Sequence, residues 1–130
     1  AEALLAGLEE NQLLNRLRYQ ISLRLGQQGC DLPTCAQAMD LSAAALQRAL
    51  AQQGQGFRRL REEVRRLRSR ELLLAGEPLR EVARACGFAE LSPFYRAFRR
   101  WYGQTPDQYR QRHSAADLEA SAEASEALGQ

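Results

Sequence analysis

Lysine is absent from this 130-residue chain; all 18 basic residues are arginine. Histidine occurs once, at His113, and cysteine three times, at Cys30, Cys35 and Cys86, with no CxxC pairing. These absences remove the usual enzyme constellations. There is no metal cluster, no phosphate loop and no Cys–His pair beside a nucleophile, so neither an enzyme nor a cofactor is expected. Cys86 falls on an apolar helix position and reads as a small buried hydrophobe. Cys30 and Cys35 read as a loop residue and a helix residue rather than as a disulfide, which fits a reducing cytoplasm. Redox sensing is the weaker alternative. No run of about 18 apolar residues exists, so no membrane span or membrane partner is expected, and no signal-peptide pattern is present. Proline is sparse, with four residues, and β-branched alternation is missing. Glycine sits at segment ends, so helices should dominate with essentially no sheet. The first residue is Ala rather than Met, which reads as a piece of a longer chain with a partner domain out of view.

What is present is charge with a pattern. The formal net charge of +2 conceals an asymmetry. Residues 15–113 hold every arginine and nine acids, a surplus of nine positive charges, while residues 1–14 carry three acids and residues 114–130 carry four. A basic middle with acidic flanks implies a polyanionic partner, most simply nucleic acid. A solvated arginine-rich surface reflecting codon bias is the plainer alternative.

The chain divides into five stretches. Residues 1–13 read as a linker remnant or frayed helix. Residues 14–55 open with Leu14, Leu17, Ile21 and Leu25 on one helical stripe ended by Gly26 or Gly29. Asp31 is an N-cap for a helix over Leu32 to Met39, with Pro33 tolerated in the first turn. Asp40-Leu41 makes a turn, and Ser42 caps a helix from Ala43 to about Gln53 with Leu46 and Leu50 inward. Residues 56–76 form a long linker helix, with Phe57, Leu60, Val64 and Leu67 on one stripe and arginines around the rest. At about 1.5 Å per residue it is roughly 28 Å long. Several of its arginines should pair with Glu62, Glu63 and Glu71, leaving Arg58 and Arg59 as its better DNA candidates. Residues 114–130 read as an acidic, disordered tail.

Residues 77–113 carry the most distinctive pattern. Leu79, Val82, Ala83 and Cys86 form one stripe, and Gly87 follows where a helix end favours positive φ. Ser92-Pro93 reads as a helix start, with Ser92 as N-cap and Pro93 at the first helical position. Phe94, Ala97, Phe98 and Trp101 share the inner face of that helix, and Arg96, Arg99 and Arg100 lie elsewhere on it. The aromatics are read as core. A last helix from Pro106 to about Arg112 should return Tyr109 to the core. The two regions repeat one plan: Ala36 matches Ala83, Asp40 matches Gly87 and Leu41-Ser42 matches Leu91-Ser92, with the second turn about one residue longer. A helix crossed by a second, basic helix is the arrangement that enters a DNA major groove. Two such units on a helix of roughly 28 Å could set their second helices about one DNA turn, roughly 34 Å, apart.

The runs from Leu41 to Arg65 and from Leu79 to Arg110 resemble the C-terminal DNA-binding domain of AraC/XylS-type bacterial transcription regulators. Gly87, Phe88, Ser92, Phe94, Arg96, Phe98, Gly103, Pro106, Tyr109 and Arg110 carry the stronger match, and the likeness spans about Asp31 to Arg112. It implies an all-α fold of about seven helices: two helix-turn-helix subdomains joined by a long linker helix. The implied partners are double-stranded DNA, RNA polymerase, and an N-terminal effector-binding or dimerisation domain outside this sequence. Position by position, it implies that the first unit presents Ala44, Gln47 and Arg48 to DNA, and the second Leu91, Ser92, Pro93, Tyr95 and Arg96. Glutamine can bond adenine and arginine guanine in bidentate fashion. Arg99, Arg100 and Arg110 suit phosphates. Ala43-Ala44-Ala45 stands where relatives carry larger polar residues, and Asp40 where they carry glycine. The first unit is therefore expected to be less regular and to read little sequence. A helical protein-interaction module with weak, non-specific DNA binding is the alternative function.

Overall fold

The computed structural model describes residues 2–27 and 30–113, with side-chain environments from residue 12 onward. The expected acidic tail and the expected end at Gly29 lie outside the described residues. Seven helices and no strand occur among the described residues: α1 (Glu2–Arg24), α2 (Leu32–Ala38), α3 (Ala43–Gln52), α4 (Phe57–Leu74), α5 (Leu79–Ala85), α6 (Leu91–Tyr102) and α7 (106–113). α1 is one continuous helix of 23 residues, with no break near residue 13.

Local chemistry sets most helix ends. The Asp31 carboxylate accepts from the Thr34 amide at 2.8 Å, and the Ser42 hydroxyl accepts from the Ala45 amide at 3.1 Å. Each cap satisfies one of the first amides that a helix leaves without an internal partner. At the other end of α2, the Leu41 amide reaches back to the Ala36 carbonyl at 2.9 Å, with Asp40 at φ 59°. After α5 the Phe88 amide reaches the Ala83 carbonyl, also at 2.9 Å, with Gly87 at φ 86°. Both are left-handed turns closed by a six-residue hydrogen bond. The first turn is thus built like the second, contrary to the irregularity that Asp40 suggested. Aspartate is among the few side chains that enter this region at modest cost.

α6 starts two residues earlier than Ser92-Pro93 indicated. Its N-cap is Glu90, which makes no side-chain cap bond. Ser92 and Pro93 are its second and third residues, so Ser92 caps nothing. The proline remains within the first turn, where its missing N–H removes no internal hydrogen bond.

Two cores result. The first gathers Leu14, Leu17 and Ile21 of α1 with Leu25 just past its end, Leu46 and Leu50 of α3, and Leu60 and Val64 of α4 around Cys35, Ala36 and Met39. The second gathers Val82, Ala83, Phe94, Phe98 and Tyr109 with Leu73 from the far end of α4. α4 therefore changes the face it buries along its length. Leu67, expected inward, is exposed, whereas Ser69 is fully buried and donates its hydroxyl to the Arg66 carbonyl at 2.8 Å. Phe94 and Phe98 are core, as read, and Trp101 is half-buried beside them.

The two units also touch directly. Arg65 of α4 donates from Nε to the Cys86 carbonyl at 2.9 Å and lies 4.1 Å from the Phe88 ring centre. The Cys86 thiol donates to the Arg65 carbonyl at 3.8 Å. Gly26, just past α1, packs against the Arg84 carbonyl, and Gly87 against the Leu25 carbonyl. These contacts hold both helix-turn-helix units against the linker.

Candidate nucleic-acid interface

The outer faces of α3 and α6 are the candidate reading surfaces. On α3 the inward Leu46 and Leu50 turn Ala44, Gln47 and Arg48 to solvent, and all three are exposed. Ala45 is half-buried, so the hydrogen-bonding capacity of this face rests on Gln47 and Arg48. On α6, burial of Phe94, Ala97 and Phe98 leaves Ser92, Arg96, Arg99 and Arg100 exposed. Ser92 and Arg96 stand one turn apart on the same side. Arg96 and Arg99 make no ion pair among the described residues. Arg100 lies 3.8 Å from Glu62 and is still mostly exposed, so solvent weakens that pairing.

Three residues of the expected set sit differently. Leu91 and Pro93 are half-buried, and Leu91 packs on the second core. They can offer DNA only apolar edges. Tyr95 is half-buried, and its hydroxyl donates to the Asp107 carboxylate at 2.9 Å. Burial, together with that bond, raises its pKa. In this arrangement Tyr95 ties α6 to α7, and its hydroxyl is engaged.

Arg110 is corrected more sharply. Its charge suits a phosphate, yet it is half-buried and donates from Nε to the Leu73 carbonyl at 3.0 Å and from its guanidinium to the Glu77 carbonyl. It seals the carboxyl end of α4 and the following turn. The linker arginines are also partly structural. Arg65 pairs with Glu62 at 2.8 Å and Arg68 with Glu71 at 3.2 Å, while Glu63 pairs with Arg18 of α1. Arg70 donates to the Tyr109 hydroxyl at 2.7 Å. Arg58 and Arg59 remain exposed at the start of α4.

Two arginines escaped the sequence reading. Arg80 and Arg84 of α5 line a cleft of about 290 Å³ together with Phe88, Leu91 and Ser92. Both are exposed and neither has an ion-pair partner among the described residues. They stand four apart on α5, beside the amino end of α6. Their spacing is visible in the sequence, but the packing of α5 against the start of α6 that puts both in one cleft is tertiary. First helices of helix-turn-helix units cross the DNA backbone; Glu90 also lines this cleft.

Cys35 and Cys86 are buried and Cys30 is half-buried. Burial pushes Cys35 and Cys86 up to about 11 and also raises Cys30, so all three remain protonated near neutrality.

A profile of the helix-turn-helix domain family matches residues 35–112. The chain is 38% identical over 112 residues to the ornithine utilization regulator of Pseudomonas aeruginosa, covering 85% of this chain and 33% of that protein. It is 33% identical over 88 residues to the HTH-type transcriptional regulator GadX of Escherichia coli, covering 67% and 32%. Among solved structures, the DNA-binding transcriptional dual regulator from Escherichia coli K-12 superposes with a TM-score of 0.72 at 26% identity, over 79% of this chain and 93% of that one. The C-terminal domain of AraT, a response regulator from Geobacillus stearothermophilus, superposes at 0.63 with 29% identity, over 77% and 84%. The chain belongs to the AraC-type helix-turn-helix family of DNA-binding transcription regulators. It spans about a third of the length of the two curated relatives named above. No helix among the described residues is long and apolar enough to cross a membrane.

Proposed function

We propose that this chain binds double-stranded DNA sequence-specifically through the major groove, with α6 as its principal reader. The carrying observation is the division of α6 into a buried aromatic face and an exposed face that presents Ser92 and Arg96 beside the Arg80–Arg84 cleft. Arg96 supplies a fork suited to the O6 and N7 of guanine. Arg80, Arg84, Arg99 and Arg100 hold phosphates on either side and fix the helix in register. α3 adds Gln47 and Arg48, with Ala44 limited to apolar contact.

The larger reading follows the relatives' length. The chain serves as the DNA-binding part of a cytoplasmic regulator that also carries an effector-binding or dimerisation domain, and it regulates transcription through contacts with RNA polymerase. No observation favours an interaction module in place of DNA binding.

The test is selection of a binding site from random duplexes, followed by competition between the selected and a scrambled duplex across a salt series. Four phosphate contacts correspond to a slope of about −3.6 in log affinity against log salt. The selected duplex should stay tighter at every salt concentration. Equal affinity for both duplexes throughout would overturn specific recognition.

A further inference from the structure

Arg61 of α4 is half-buried, and its Nε is shut off from solvent with no hydrogen-bond partner among the described residues. No ion pair among those residues includes it. One turn further along α4, Arg65 gives Nε to the Cys86 carbonyl and Nη1 to Glu62, and its Nη2 has no partner among the described residues. Both arginines line a cleft of about 370 Å³ where the two helix-turn-helix units meet. Gln27 and Cys30 form its wall on the side of the first unit, and Cys86 and Gly87 on the side of the second. Gly87 puts no side chain into the cleft, and Arg65 Nη2 lies 3.9 Å from where its Cβ would stand.

The charge in this cleft has one sign. Its wall holds two arginines and no acid. Like charges four residues apart on a helix repel each other, and a buried donor without an acceptor leaves its desolvation cost unmet. Burial raises the Cys30 pKa, and the charges of Arg61 and Arg65 oppose that rise, so both guanidiniums stand near the thiol. Asp31 acts on the same thiol, but it lies outside the wall and its carboxylate accepts from the Thr34 amide. Gln28 and Gly29, beside the wall in sequence, add no charge. The volume falls at the lower end of small-ligand sites, about 300–1,000 Å³.

We propose that this cleft binds a free phosphate group, as inorganic phosphate or a phosphate monoester, between Arg61 and Arg65. The donors come from two guanidiniums on successive turns. A tetrahedral oxyanion can accept from Arg61 Nε and Arg65 Nη2 through different oxygens, whereas a planar carboxylate is matched by a single guanidinium fork. No residue of the wall belongs to α3 or α6, so the site is separate from the reading faces and fills without DNA. The bound anion supplies the acceptor that Arg61 lacks and sits against residues of both units, so it stabilises the folded chain.

Thermal melts of the DNA-free chain, in an inorganic phosphate series against chloride at matched ionic strength and pH, test the site. At ten times Kd the midpoint should rise by about 4 °C or more. Phosphate also stabilises folded chains by exclusion from their surface, a part that every variant shares. Arg61→Met removes the unpartnered donor and keeps an apolar stem, so it should melt in chloride no lower than the parent while its phosphate response weakens about tenfold or more in concentration. Arg16→Met removes an equal charge from an exposed site on α1 and should keep the full response. Duplex binding over a chloride series separates a free phosphate from one in the DNA backbone: Arg61→Met should leave the salt slope unchanged. Equal phosphate responses in the parent and Arg61→Met would overturn the proposal, as would a response lost equally in Arg16→Met. A salt slope lowered by about 0.9, with no phosphate response in the DNA-free parent, would also overturn it and give Arg61 to the DNA backbone.

Discussion

Gly87 stands so close to Leu25 that a Cβ built at residue 87 would come within 2.5 Å of the Leu25 carbonyl oxygen. The turn of the second helix-turn-helix unit is therefore pressed directly onto the end of α1, in the first unit. Gly87 also has φ 86°, a region that side chains resist.

Gly87→Ala meets both obstacles at once, and the blocking atom is backbone. The expected loss is about 3 kcal/mol or more, the sum of left-handed strain and a displaced contact, read by urea denaturation. Asp40→Gly at the equivalent turn should stay within about 1 kcal/mol of the parent, because Asp40 already tolerates φ 59°. Equal effects at the two turns would show that the contact with Leu25 carries no weight.

Helix caps give a pair of opposite outcomes. Ser42→Ala removes the acceptor for the Ala45 amide and should cost about 1 kcal/mol. Glu90→Ser places a capping hydroxyl where α6 has none, at φ −134° and ψ 159°, and should add about 0.5–1 kcal/mol. Thermal melts of the two variants check both signs.

The contrast between these caps shows what the sequence could disclose. Asp31 and Ser42 were legible because a cap bond spans three residues. Ser92-Pro93 carries the same local signal, but Leu91 is drawn onto the second core and the helix begins there. The stripe through Leu60 and Val64 was legible, whereas its continuation to Leu67 was not, since α4 leaves one core for the other. Within the candidate site, exposure of Gln47, Arg48 and Arg96 followed from helical periodicity. The role of Arg110 did not, because the carbonyls it binds lie 37 and 33 residues away in sequence.

Arg110→Ala should therefore act on stability rather than on recognition. Losing charged hydrogen bonds to the Leu73 carbonyl at the end of α4 and the Glu77 carbonyl in the following turn should cost about 1–3 kcal/mol. At a temperature where the variant is fully folded, its preference among duplexes should match the parent's. Altered base preference with unchanged stability would return Arg110 to the DNA face.

Thiol labelling tests the burial of the cysteines. Cys35 and Cys86, pushed up to about 11 by burial, should resist alkylation at pH 7.5 in the folded chain and react fully in denaturant. Rapid labelling of Cys86 in the native state would mean that the junction between Arg65 and Gly87 opens readily.

The division of labour between Arg96 and the Arg80–Arg84 pair is tested most directly by measuring affinities for the selected duplex and for each single-base variant of it over a salt series. Arg96→Ala should lose about 1–3 kcal/mol of discrimination at one or two base pairs while affinity for the other variants changes little. Arg80→Ala and Arg84→Ala should weaken all duplexes alike and each lower the salt slope by about 0.9. A uniform loss for Arg96→Ala, with base preference intact, would contradict the assignment of α6 as the reader.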